Sequence, residues 1–201
     1  MNLKKFSQRA RKMLSKKFIE KLPYTFDIEK IISEVNNILH NVDFDGEQIS
    51  LVYREGHKED CWTDGAGTSF QFDENRNPVR DDEGNILRRF TEEEFKYINP
   101  GLEGTELENI YNTLKKDYNI SRFRIAKVNP RKCYGWHKDE EIRIHVPVIT
   151  APGCFIITED GIASHLPSDG SVYMFYARNG YHTAVNSDYK IERIHLLLNI
   201  C

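Results

Sequence analysis

Apolar residues in the N-terminal part of the chain recur at the spacing of an α-helix. From Asp27, which can act as an N-cap, they fall on one face of a predicted helix. These residues are Ile28, Ile31, Ile32, Val35, Ile38 and Leu39. Residues 1–40 as a whole have a helical pattern, which Pro23 interrupts. Thr105 and Glu108 form the pattern of a capping box, which predicts that a second helix begins there.

From residue 121 onward, the helical pattern gives way to short runs rich in β-branched and aromatic residues. Turn signals such as Asn129-Pro130 and Asp169-Gly170 separate these runs. The runs lie at 121–128, 142–149, 154–158, 172–177 and 191–199. A further strand is predicted at 49–54, followed by a polar stretch at 55–90. Helices followed by many short strands predict an α+β fold whose C-terminal half is a β-sandwich or barrel.

The composition fits one globular domain. The chain has 201 residues, of which 39% are hydrophobic, so it can form a core and is not disordered as a whole. Its apolar runs are much shorter than the ~20 residues of a membrane span. The charged N-terminus lacks an apolar signal segment, and the four cysteines form no CxxC pair. We therefore expect free thiols and a cytoplasmic location, in a bacterium or a phage-infected cell.

Charge is distributed unevenly along the chain. Residues 1–21 carry eight Lys or Arg and one acid, a net charge of +7, while the remaining 180 residues sum to −10. We predict a basic N-terminal helix or arm at 1–21 and a single domain at 22–201. The arm could bind an anionic partner such as nucleic acid, but an amphipathic helix with a solvated basic face is the favoured interpretation. The acidic body is a poor phosphate binder.

Candidate chemistry lies in the β-rich half. His137 and Asp139 are two residues apart, and on a strand such residues point to the same face. Arg143 and His145 have the same parity as this pair, in an alternating segment whose aliphatic residues face the other way. This sheet face would therefore present both cationic and anionic groups.

The last predicted strand repeats this arrangement with Arg193 and His195, and His182 follows a turn between the two segments. Buried charges are costly unless they are paired or bound to a ligand, so a cavity that holds a metal cation and a dicarboxylate would explain them. His137, Asp139 and His182 supply the two imidazoles and one carboxylate that suit non-haem Fe(II) and leave positions open. The planar fork of Arg193 suits a carboxylate.

These motifs resemble one oxygenase family. The spacing of H-x-D at His137, R-x-H-x-P at Arg143, H…N at His182 and R-x-H-L at Arg193 is similar to that of the aspartyl/asparaginyl β-hydroxylases, including their cis-proline hydroxylase branch. Arg122-Phe-Arg124 also fits the family's entry into the barrel. The resemblance implies a double-stranded β-helix, a jelly-roll or cupin-like core mostly at 120–201, with N-terminal helices packed on it.

The resemblance also implies an activity. The protein would be a dioxygenase that uses Fe(II), 2-oxoglutarate and O₂, with ascorbate as the reductant in vitro, to hydroxylate an amino acid or a residue in a peptide or protein. The iron ligands would be His137, Asp139 and His182. Arg193 would bind the distal carboxylate of 2-oxoglutarate. Arg143 and His145 would contact 2-oxoglutarate or an acidic group of the substrate.

The short gap between His137 and Arg143 is closer to the proline hydroxylases, so proline or a prolyl residue is favoured over Asp or Asn. Two alternatives remain open: a non-catalytic jelly-roll module that binds a ligand, and an oxygenase that acts on nucleic acid.

Cys133 is expected to be a free thiol near the site. Other side chains have more than one interpretation. His195 is expected to be a satisfied core histidine, Trp62 either a lid or a hairpin anchor, and His40, His57 and His165 surface or loop residues.

Overall fold

The computed structural model describes residues 17–201. Residues 1–16, which carry most of the predicted basic arm, lie outside the described part, and so does the apolar face predicted for that arm. In residues 17–201, no helix is both long and apolar enough to cross a membrane.

The described chain contains two α-helices and twelve strands. The helices are α1 (Ile28–Asn41) and α2 (Glu106–Leu114). The strands are β1 (Ile19–Thr25), β2 (Gln48–Ser50), β3 (Val52–Arg54), β4 (Phe95–Ile98), β5 (Ile120–Val128), β6 (Lys132–Cys133), β7 (Ile142–Ile149), β8 (Cys154–Thr158), β9 (Ala163–Ser164), β10 (Ser171–Phe175), β11 (His182–Asn186) and β12 (Arg193–Ile200). Short 3₁₀ turns lie at Glu92–Glu94, Pro100–Leu102 and Ala177–Asn179.

Two antiparallel sheets form the core of the molecule. The larger has the order β1-β10-β7-β12-β5-β2, the smaller has the order β6-β11-β8-β9, and β3 pairs separately with β4. From β5 onward, the chain passes back and forth between the two sheets, with β5, β7, β10 and β12 in the larger and β6, β8, β9 and β11 in the smaller. This alternation is the winding of a double-stranded β-helix, so the predicted α+β jelly-roll fold is confirmed.

The helices cover the outer face of the six-stranded sheet. Ile31 and Val35 of α1 belong to the same buried cluster as Ile144 of β7 and Leu196 of β12. Glu34 links the two helices, because its carboxylate accepts hydrogen bonds from the first backbone N–H groups of α2 at 2.8 and 3.1 Å. A carboxylate is favourable at a helix N-terminus. The expectation that N-terminal helices pack on the core is confirmed for α1 and α2.

The helical prediction for residues 1–40 is wrong at residues 19–25. Residues 19–25 form strand β1, which pairs with β10 so that Ile19 lies opposite Phe175. The pairing becomes irregular between Lys21 and Thr25, where Pro23 lacks a backbone N–H to donate. The local pattern of this segment favours a helix, but pairing with β10 at the edge of the larger sheet makes it a strand.

Two shorter segments also differ from the sequence prediction. The run 49–54 is split into β2 and β3, which belong to different sheets, with Leu51 fully buried between them. The stretch 55–90 is an irregular hairpin in part, because isolated bridges join Phe70 to Arg88 and Arg80 to Ile86. Its polar composition hides this pairing.

Candidate active site

A cavity of about 1010 Å³ lies between the two sheets. Inward-facing side chains of both sheets line it, together with the loop that follows β6 and parts of the stretch 55–90. The alternation predicted along β7 and β12 is observed: Arg143, His145 and Arg193 line the cavity, whereas Ile144 and Leu196 belong to the core on the other face.

An isolated antiparallel bridge holds His137 beside His182. The N–H of His137 donates to the carbonyl of His182 at 3.1 Å, and the N–H of His182 donates to the carbonyl of His137 at 2.8 Å. The two imidazole rings lie with their centroids 4.4 Å apart. His182 begins β11, but His137 forms only a single isolated bridge.

Asp139 completes a three-residue cluster with these histidines. Its Oδ1 lies 3.7 Å from His137 Nε2, and its Oδ2 lies 3.4 Å from His182 Nε2. One ligand atom from each of the three residues lies within 4.8 Å of the other two. The predicted convergence is therefore observed, but the predicted cause is wrong. Asp139 lies in a loop rather than on a strand with His137, so the bend of the loop brings the two side chains together.

The tautomers of the two histidines suit a cation. His137 Nδ1 lies 2.8 Å from the carbonyl of Gly135, and His182 Nδ1 lies 3.3 Å from the carbonyl of Gly180. A carbonyl can only accept, so each Nδ1 donates to it, and in the neutral imidazole each Nε2 is then left with a lone pair directed toward Asp139. Asp139 Oδ2 is buried and accepts no hydrogen bond from residues 17–201. With both rings neutral, the two Nε2 atoms and the carboxylate are three converging acceptors, a set that fits a metal ion.

Arg143 lies against this cluster, with its Nη2 2.8 Å from Asp139 Oδ1. Burial alone would raise the pKa of Asp139, but His182, Arg143 and His137 together outweigh burial and hold it below its usual range. Asp139 is therefore an anion at neutral pH.

Arg193 is a buried cation without an acidic partner. Arg193 is only 4% exposed, and no carboxylate among residues 17–201 lies within salt-bridge distance of it. Its Nη2 donates to His195 Nδ1 at 3.1 Å. Burial lowers the pKa of Arg193 to about 10, so it stays protonated at neutral pH. An uncompensated guanidinium in a cavity wall fits an anionic ligand.

His145 and His195 connect Arg193 to the rest of the wall, with their Nδ1 atoms 3.2 Å apart. Burial, followed by repulsion from Arg193, lowers the pKa of both well below 6.5, so both are neutral. The Nε2 of each is buried and has no hydrogen-bond partner in the described part of the chain. The prediction that His195 is a satisfied core histidine is wrong in this respect, because only one of its ring nitrogens has a partner.

The structure also places an arginine pair that motif spacing alone did not assign to the site. Arg122 and Arg124 point from β5 into the same cavity. Arg122 pairs with Glu92 at 3.1 Å, and Arg124 donates to Gln48 and Asn199 at 3.1 and 2.8 Å. Gln48 and Asn199 come from β2 and β12, the strands on either side of β5, so only the strand order brings these three residues together.

The remaining sequence predictions concern residues near the site. Cys133 is an exposed free thiol on β6, as expected, and the other three cysteines are also free. Trp62 does not line the cavity. It packs against the hydrophobic core and approaches Gly101 so closely that a Cβ there would lie 2.7 Å from its ring. The interpretation of Trp62 as a lid is therefore wrong.

Three histidines were expected at the surface or in loops, and the structure agrees. His40 is exposed in the last turn of α1, while His57 and His165 lie in loops.

Comparison with known proteins gives similar folds but no family. The sequence matches no known family profile and no curated protein. Among solved structures, the chain is similar to a viral collagen prolyl hydroxylase from Paramecium bursaria Chlorella virus-1 in complex with 2-oxoglutarate (10% identity, 92% of this chain and 96% of that chain, TM-score 0.49). It is also similar to a Pseudomonas putida prolyl-4-hydroxylase (8% identity, 96% of each chain, TM-score 0.48).

A third similar structure is a cupin domain from Bordetella pertussis (21% identity, 42% of this chain and 85% of that chain, TM-score 0.35). With these identities, and with TM-scores below 0.5, such similarities do not decide the function of the chain.

Proposed function

We propose that the protein is a non-haem iron dioxygenase that uses 2-oxoglutarate and O₂ to hydroxylate an amino acid or an amino-acid residue in a peptide or protein. The observation that carries this proposal is the combination of two features in one cavity. The ligand atoms of His137, Asp139 and His182 converge there, and Arg193 is buried there with no carboxylate of residues 17–201 within salt-bridge distance. The first feature fits a divalent cation and the second a carboxylate.

The donor set favours iron over other metals. Two imidazoles and one carboxylate with open positions are typical of Fe(II) sites that activate O₂. His137, Asp139 and His182 would hold the iron, and Arg193 would bind the distal carboxylate of 2-oxoglutarate. When bound, iron and 2-oxoglutarate would activate O₂, so that one oxygen atom converts a substrate C–H bond into C–OH and the other enters succinate, with CO₂ released from 2-oxoglutarate.

The protein's own residues orient the groups that would bind the reactants. The carbonyls of Gly135 and Gly180 fix the tautomers of the two histidines, so both Nε2 atoms face the same point. Phe175 packs its ring edge-to-face against His182, with the centroids 4.7 Å apart, and so restrains that ring. His195 accepts a hydrogen bond from Arg193 and holds its guanidinium in the cavity wall. Arg143, which contacts Asp139, and His145 would contact 2-oxoglutarate or an acidic group of the substrate.

For the substrate, we propose proline or a prolyl residue ahead of aspartyl and asparaginyl side chains. The short spacing between His137 and Arg143 in the sequence supports this order.

The test is succinate formation from 2-oxoglutarate by the purified protein with Fe(II) and ascorbate. We expect iron-dependent succinate, and more of it when free proline or a prolyl peptide is added. An absence of succinate, with no rise in melting temperature when Fe(II) and 2-oxoglutarate are added together, would instead favour the non-catalytic binding module. Succinate formation stimulated only by an oligonucleotide would favour an oxygenase that acts on nucleic acid.

A further inference from the structure

A second buried arginine of the cavity also lacks an acidic partner. Arg124 is 2% exposed, and no carboxylate among residues 17–201 lies within salt-bridge distance of it. Its two hydrogen-bond acceptors are neutral amide oxygens, Gln48 Oε1 at 3.1 Å and Asn199 Oδ1 at 2.8 Å. Its Nε is buried and donates to no acceptor in residues 17–201. Most of the hydrogen-bonding capacity of this guanidinium is therefore unused.

Two other arginines of this protein, in contrast, each form an ion pair with a carboxylate. Arg122, two residues earlier on β5, pairs with Glu92 at 3.1 Å and donates to the Gly67 carbonyl at 2.7 Å. Arg54, outside the cavity, pairs with Asp64 at 2.7 Å. A buried charge that only neutral groups contact is costly. Arg124 and Arg122 are buried to a similar extent, but only Arg122 has an acidic partner among residues 17–201.

Strand pairing separates Arg124 from Arg193 along the cavity. On β12, Arg193 lies opposite Val128 of β5, whereas Leu197 lies opposite Arg124. Four residues along a strand correspond to roughly 13 Å. One bound 2-oxoglutarate whose distal carboxylate lies on Arg193 therefore leaves Arg124 for another anion.

Arg124 also lies on the side of the cavity where the metal cluster is. Asn199, which accepts from Arg124, is paired with Arg143 on β7, and Arg143 contacts Asp139. An anion at Arg124 would hold the rest of its molecule beside the cluster of His137, Asp139 and His182.

We propose that the substrate of the hydroxylation carries a carboxylate, and that Arg124 binds this carboxylate at the end of the cavity away from Arg193. The inference rests on the proposed function and narrows its substrate class. The carboxylate can belong to a free amino acid, as in proline itself, or to an acidic side chain within a peptide. Both sources present the same planar group to the guanidinium.

The experiment measures binding of matched acids and amides to the protein saturated anaerobically with Fe(II) and 2-oxoglutarate. L-Proline is compared with L-prolinamide, and N-acetyl-aspartyl amide with N-acetyl-asparaginyl amide, by isothermal titration calorimetry and melting temperature. We expect at least one acid to bind about 10- to 100-fold more tightly than its amide. The pair that shows the difference identifies the source of the carboxylate.

Variants then assign the effect to Arg124. Arg124→Gln should bind the preferred acid about as weakly as wild type binds the amide, and Arg124→Lys should recover part of the loss, because charge returns without the fork. Arg178→Gln, at an exposed position outside the cavity wall, should bind like wild type. The wild-type comparison does not depend on whether Arg124→Gln folds.

The proposal is overturned if neither acid binds more tightly than its amide, or if Arg124→Gln binds the acids as tightly as wild type does. Either result can coexist with iron-dependent succinate formation by wild type, which would leave the proposed function standing. A wild type that forms no succinate would remove the proposed function instead.

Discussion

The two faces of the six-stranded sheet are equally buried but chemically opposite. On the outer face, Ile144, Val146 and Leu196 are fully buried among aliphatic side chains of the core. On the inner face of β12, Arg193 and His195 are also buried, yet among residues 17–201 their side chains hydrogen-bond only to each other and to His145.

This difference separates what holds the fold together from what binds ligands. Burial of an aliphatic side chain on the outer face contributes about 1.5–3 kcal/mol each to folding. The inner face instead contains cations without acids and imidazole nitrogens without partners, which are unfavourable until a ligand satisfies them. Substitutions on the two faces should therefore have opposite consequences for stability and for chemistry.

The largest expected effect is on chemistry. His137→Ala removes one of three converging ligand atoms and should abolish iron-dependent succinate formation, measured in the assay described above. The side chain of His137 is 39% exposed, so its loss should change the melting temperature little. His57→Ala is a matched control, because the His57 side chain is 38% exposed and lies outside the cavity wall. Equal activity losses in both variants would contradict the metal assignment.

The next effect distinguishes the faces directly, through two adjacent leucines of β12. Leu196→Ala on the outer face should lower the free energy of unfolding by about 2–5 kcal/mol, as for other core leucines, while each folded molecule keeps its turnover. Leu197→Ala opens space in a wall that already borders the cavity and should cost less stability. Urea denaturation and succinate assays on both variants measure this contrast. A greater loss of stability in Leu197→Ala would break the comparison.

A smaller effect is expected from the inner-face cation. Arg193→Gln should weaken 2-oxoglutarate binding by about 1.5–3 kcal/mol, the strength typical of a charged hydrogen bond. It should not destabilise the ligand-free protein, because the substitution removes a buried charge that has no acidic partner among residues 17–201 and is therefore unfavourable. Calorimetric titration with 2-oxoglutarate, beside urea denaturation without ligand, measures both. A variant that is unstable but binds normally would make Arg193 a structural residue.

The last expected effect is a dependence of stability on pH. Burial, with repulsion from Arg193, lowers the pKa of both His145 and His195 well below 6.5 in the folded protein. Below that pH the unfolded chain binds protons that the folded protein does not, so stability falls as the pH falls. Each histidine contributes about 1.4 kcal/mol per pH unit.

Urea denaturation between about pH 7 and about pH 5 should show this slope, and His195→Gln should remove about half of it. A slope that is unchanged in this variant would mean that His195 is protonated in the folded protein.

The sequence predicted the aliphatic face better than the polar one. Strands β7 and β8 begin and end at the bounds of the predicted β-rich runs, 142–149 and 154–158. Strand β11 carries few apolar residues, and β6 has only two residues, so neither gives a periodic signal. Strand β1 depends on an edge that the folded sheet provides, which its own residues do not encode.

The site was predicted where its residues form short motifs and missed where they depend on strand order. His137 and Asp139 are neighbours in sequence, and Arg193 alternates with apolar residues on β12, so both were found. The contacts of Arg124 join β2, β5 and β12, which no local pattern reveals. No local pattern reveals the bend that brings Asp139 to His137 either. Strand parity predicted two residues that the structure does bring together, but through a loop and not through a shared strand face.

The most direct test of the account is the stoichiometry of Fe(II) binding, measured by anaerobic equilibrium dialysis in the presence of 2-oxoglutarate. If His137, Asp139 and His182 form the metal site, wild type and His57→Ala should each bind one Fe(II) per chain, and His182→Ala should bind almost none. One Fe(II) bound with the same affinity by His182→Ala, or none bound by wild type, would contradict it.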